Sequence, residues 1–130
     1  LRKRLPDVNH ARSLLNSSQE TFDFTITLDL TASSCDTISR NLYECFRQIG
    51  SALLLLKGIN FDDHVKPINA LVDLDISTSR PLSLLNEYRK LRHNINYTGY
   101  KPSITETKDF LDFSKTCYSV LHKYILDLAV

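Results

Sequence analysis

In the stretch EYRKLRHNINYTGY, Glu87 to Tyr100, side chains able to hold an anion recur at helical intervals. Arg89, Arg92, His93 and Asn96 stand at i, i+3, i+4 and i+7, which lays them along one side of a helix. Guanidinium groups present a planar fork of donors that suits phosphate oxygens, and an imidazole and an amide extend the same row. Tyr97 and Tyr100, at the end of the stretch, are placed to stack on a base or hydrogen-bond a ribose. The ordinary alternative is a helix face that does nothing but stay wet. The density of Arg, His, Asn and Tyr, where Glu and Lys would solvate equally well, is what singles this stretch out.

Other chemistry-bearing residues are less organised. Asp62, Asp63 and His64 are adjacent and so do not readily point at one ion; a helix-capping role is sufficient for the two aspartates. Asp109 and Asp112 read as solvated carboxylates, and His10 and His122 as solvated imidazoles. No Gly-rich phosphate loop, Gly-x-Ser-x-Gly elbow or His-Glu-x-x-His motif occurs, so neither a cofactor nor a metal is expected. Cys35, Cys45 and Cys117 are odd in number and lack paired spacing, which argues for reduced, buried thiols rather than a disulfide framework. The formal charge of +1 supplies no global basic field, so attraction of a nucleic acid must be local.

The elements that must position the arginine stripe are helices. With Gly at 3 and Pro at 4 in 130 residues, turn formers are too scarce for a sandwich of many short strands, and the length predicts one domain, residues 1–130. Asp7 is placed to cap a first helix, along which Val8, Ala11, Leu14, Leu15, Ser18, Phe22 and Ile26 keep helical spacing. TFDFTITLDL alternates in a strand-like way, but a lone strand would have no partner here, and the stretch is assigned to that helix. Ser33 or Ser34 starts a second helix, and Gly58 ends it. Its broad stripe, Ile38, Leu42, Cys45, Phe46, Ile49, Ala52, Leu53 and Leu56, marks it as central. Val65, Ile68, Leu71 and Val72 mark a short third helix. Pro81 opens a fourth, whose buried side holds Leu84, Leu85, Tyr88, Leu91 and Ile95 and which stops at Gly99 and Pro102. Ser103 and Glu106 form a capping box for the fifth, where Phe110, Phe113, Cys117, Val120, Leu121, Tyr124 and Ile125 share a face. The fold class expected is all-α, an up-and-down antiparallel bundle of four to five helices.

Two blocks in the middle half of the chain resemble HEPN domains, small helical bundles of prokaryotic toxin–antitoxin and defence systems. They are ISRNLYECFRQIGSALLLLKGINFDDHVKPINAL and LLNEYRKLRHNINYTGY, in that order. Active HEPN members are metal-independent ribonucleases whose motif is Arg, a polar residue, a few variable positions, then His. Arg92 and His93 match the first two positions, while Tyr97 stands where the histidine is expected, and Thr98 and Gly99 follow. A tyrosine, with a pKa of about 10, is a poor general base at neutral pH.

The resemblance implies a homodimer with two motifs facing a shared cleft. It implies a protein that binds RNA or a nucleotide through Arg89, Arg92, His93, Asn96, Tyr97 and Tyr100, without efficient cleavage. The enzyme alternative is a metal-independent endoribonuclease toxin using Arg92 with His93 or Tyr97. A third is a module that docks a nucleotidyltransferase antitoxin; the tyrosine that such a partner modifies in some HEPN members would fall at Gly99, flanked by Tyr97 and Tyr100. The longest apolar run, Ala52–Leu56, is too short to cross a bilayer, and no secretion signal opens the chain, so a cytoplasmic location is expected. Without Met even at position 1, the numbering is expected to start after a removed residue.

Overall fold

The computed structural model describes residues 5–130, which form five helices: α1 (Val8–Thr25), α2 (Cys35–Lys57), α3 (Val65–Val72), α4 (Leu84–Thr98) and α5 (Ile104–Leu128). The long helices run up and down. The Asp7 N–H donates to Leu55 O at 3.1 Å and the Ser18 hydroxyl to Cys45 O at 2.8 Å, so α1 and α2 are antiparallel. Arg40 meets Asn96 while Arg92 lies over Tyr43, which reverses α4 against α2. Ser18 and Leu15 of α1 meet Tyr118 and His122 of α5, and Tyr88 and Tyr100 meet Asp109 and Glu106, so α5 opposes both α1 and α4. The short α3 is inserted between α2 and α4.

Helix α2 is central, touching the other four. Its stripe interlocks with α5 through aromatic rings: Phe46 packs against Phe110, Phe113 and Tyr118, and Tyr118 stacks on Phe22 at 4.2 Å. Tyr88 carries α4 into the same cluster, 3.9 Å from the Phe110 ring. Its hydroxyl donates to Asp109 Oδ2 at 2.8 Å, which satisfies the one polar atom that ring brings inward. Gly50 lets α3 approach α2: a Cβ there would lie 2.1 Å from Pro67 O. Cys35, Cys45 and Cys117 are free and buried.

The helix ends follow local chemistry. Asp7 accepts from the His10 N–H, Gly58 and Gly99 take left-handed backbone at φ 67° and 71°, and the Ser103–Glu106 capping box is formed. Asp63 Oδ1 accepts from the Val65 and Lys66 N–H groups at the start of α3, whereas Asp62 makes no such bond among the described residues.

Four expectations are corrected. Helix α1 ends at Thr25, so TFDFTITLDL is helical only in its first half. Thr25 and Thr27 bond back to Thr21 O and Phe24 O, and a β-branched run loses side-chain freedom in a helix, so the last turn tightens and lets go. Beyond it the chain turns, and Leu28 and Leu30 are half-buried while Thr27, Asp29 and Thr31 are exposed, so the second half of the alternation reports a connection with one side lying on the core. Ser34 sits at the α2 start but does not cap it with its side chain; its hydroxyl donates to Asp29 O instead. Pro81 lies just outside α4, in a turn whose Pro81 and Leu82 carbonyls accept from Leu84 and Leu85. On α5, Val120 and Tyr124 are 43% and 38% exposed: the face that α1 and α2 cover is narrower than the apolar stripe.

Candidate functional site

Two buried side chains hold α4 to the bundle near the site, Tyr88 and Ile95, and they fix which way the arginine stripe looks. Beside them, Arg89, Arg92, His93 and Tyr97 line a groove of about 230 Å³ between α4, α2 and the loop leading into α3. Tyr43 from α2 forms its floor, and His64 and Val65 form the facing wall. A second depression, of about 320 Å³, lies along the other flank and is lined by Arg89, Lys90, His93 and Asn94. Arg89 and His93 are common to both.

Electrostatics inside the groove is dominated by cations. The Arg92 guanidinium lies 5.6 Å from the Tyr43 ring centroid, a cation–π contact. Neither Arg89 nor Arg92 has an acidic partner among the described residues. Arg47, also nearby, is held by both carboxylate oxygens of Glu44. Burial raises the Tyr43 hydroxyl above the ordinary tyrosine value, against the pull of Arg92, Arg89 and Arg47. Partial burial, then Arg92 and Arg47, lower the His64 pKa from its ordinary value and favour the neutral imidazole. His93 and Tyr97 rings pack 4.7 Å apart, and Tyr97, at 70% exposed, offers an open aromatic face.

The stripe is therefore split. Asn96 turns away from the groove, its Oδ1 accepting from Arg40 Nε at 2.9 Å and tying α4 to α2. Tyr100 is past the helix end, and its hydroxyl donates to Glu106 of the capping box, where it braces the start of α5. Arg89, Arg92, His93 and Tyr97 are brought together; Asn96 and Tyr100 are not. Tyr43 and His64 enter the site instead. Tyr43 is hidden in the sequence because it sits within the apolar stripe of the central helix. His64 was visible only as a neighbour of capping aspartates, and no local spacing relates it to α4.

Among the described residues no group of three or more His, Cys, Asp or Glu could hold a metal ion, and no helix is long and apolar enough to cross a membrane. Comparison of the chain with protein-family models, with curated proteins and with solved structures finds no match. What defines the site is its own geometry: a basic, half-open groove with aromatic and imidazole walls on an all-helical scaffold.

Proposed function

We propose that the protein binds RNA or a nucleotide through the groove around Arg89, Arg92 and His93, as a HEPN-like homodimer and without efficient cleavage. The observation that carries this reading is the pair Arg89 and Arg92, which point into one groove with no acidic partner among the described residues. Arginines without carboxylates are free to hydrogen-bond phosphate. The adjoining depression, which shares Arg89 and His93, favours a chain over an isolated mononucleotide, because a polyanion can follow both. Tyr97 supplies a stacking face beside the cations, the usual pairing in single-strand recognition. Weak or absent cleavage follows from the resemblance, in which Tyr97 occupies the place of the motif histidine.

Labelled single-stranded RNA titrated with purified protein tests it. Binding is expected at low salt, with Arg92→Ala weakening it by about tenfold or more, the worth of a charge-assisted contact or two. Absence of binding at low salt would sink the reading.

One observation favours a second reading, the metal-independent ribonuclease. His64 and His93 line the same groove as Arg92, and the surroundings of His64 favour the neutral imidazole, the form that can take a proton from a ribose 2′-hydroxyl. Turnover of RNA in EDTA, lost in both Arg92→Ala and His64→Ala, would establish this reading. RNA left intact by the wild type removes it.

A further inference from the structure

Two residues that line the groove each bury a polar atom without a hydrogen-bond partner among the described residues: Tyr43 its hydroxyl and Arg89 its Nε. Tyr43 is 1% exposed. A buried hydroxyl without a partner is a net cost to folding, and a phenylalanine ring would fill the same space without it. The two other buried tyrosines avoid that cost: Tyr118 pairs with Ser18 and Tyr88 with Asp109. Gln48 Oε1 and Ser51 Oγ are also unpartnered, but neither residue lines the groove or the neighbouring depression.

The kind of partner that fits follows from the two groups. Arg89 Nε–H can only donate, and a tyrosine hydroxyl surrounded by Arg89, Arg92 and Arg47 is best used as a donor too. Both therefore call for an acceptor, and the surroundings call for an anion. Arg47 is held by Glu44 and the neutral form of His64 is favoured, so Arg89 and Arg92 are the arginines of the groove left without a carboxylate. A phosphomonoester carries about 1.5 to 2 negative charges near neutral pH and three strong acceptor oxygens. An internal phosphodiester carries a single charge and has fewer free oxygens, so it matches the groove less well.

We propose that the groove is an oxyanion subsite for a phosphomonoester, with Tyr43 and Arg89 Nε–H donating to its oxygens and Arg92 closing over it. This rests on the nucleotide-binding reading and names the part of the ligand that enters: a terminal phosphate, with the rest of the chain in the depression lined by Lys90 and Asn94. Entry requires the Arg92 side chain to lift from the Tyr43 ring, exchanging a cation–π contact for a charged hydrogen bond.

The test uses the full chain, inorganic phosphate, and one short RNA carrying a phosphate at its 5′ end, at its 3′ end, or at neither. Phosphate is expected to shift the Arg89 Nε–H resonance of the nitrogen-15-labelled protein. RNA with a terminal phosphate at one end is expected to bind about tenfold tighter than RNA with none, as one or two charge-assisted bonds would give. Tyr43→Phe should abolish both effects while melting at the same temperature as the wild type or higher. Equal affinity for all three RNAs, a preference that survives Tyr43→Phe, or a Tyr43→Phe protein that melts clearly lower each overturns the subsite. Equal affinities that still depend on Arg92 leave the nucleic-acid reading standing while the subsite falls. A Tyr43-dependent response to phosphate with no RNA binding at any salt does the reverse.

Discussion

His64 titrates in a field made by other elements: Arg92 of α4, Arg47 and Glu44 of α2, and Asp63 of its own loop. Its pKa is lowered first by burial, then by the two arginines, so its neutral form is favoured in the folded state. The contribution of that neutral form to stability is present above the unfolded value of 6.5 and is lost as pH falls through the lower folded one. Arg92→Ala removes one cation and is expected to raise the His64 pKa toward 6.5, a shift readable by proton NMR titration. An unchanged value would separate His64 from the Arg92 side of the groove. Of the site residues, the helical face of Arg89, Arg92 and His93 was legible, because spacing along one helix is local information. Tyr43 and His64 were not, because their place beside Arg92 is made by packing of α2 and the α3 loop against α4. Asn96 shared the stripe's spacing and Tyr100 closed the same stretch, but they are engaged by Arg40 and Glu106, partners that only the tertiary fold supplies. Tyr100→Phe is accordingly expected to leave RNA affinity unchanged, as measured by the same titration that Arg92→Ala disturbs.

At the scale of elements, the site depends on how closely α3 lies on α2. Gly50 permits that approach, with Pro67 O where a Cβ would be, and the loop between the two helices carries His64. Gly50→Ala must push α3 outward and is expected to cost about 1–3 kcal/mol, as overpacking of a tight contact does. Denaturant unfolding checks the cost. The same protein should also bind RNA less well, since the His64 wall moves away from α4. Helix starts and stops were legible wherever one residue carries the signal, as with Asp7, Gly58, Gly99 and the Ser103–Glu106 box. They were misread where competing local bonds decide, as at Thr25, and where a neighbour fails to cover an apolar residue, as at Val120 and Tyr124. The alternation in TFDFTITLDL spans the last turn of α1 and a half-covered connection beyond it, so its second half was misread as helix.

For the whole molecule, a net charge of +1 means that binding draws on a local cluster rather than a general field. All-α class followed from the scarcity of turn formers and the long stripes, and the order of four long helices with one short insertion agrees with it. With Arg89 and Arg92 as the phosphate contacts, the logarithm of RNA affinity should fall with the logarithm of salt concentration at a slope of about −1.4, two contacts on a single strand. A much steeper slope would require cations outside the groove. The most direct measurement of the central claim is fluorescence anisotropy of labelled single-stranded RNA with wild-type and Arg92→Ala protein at low and moderate salt. The account predicts binding by the wild type that weakens with salt and is largely lost in Arg92→Ala. Wild-type binding that Arg92→Ala leaves intact, or no binding at low salt, would contradict it.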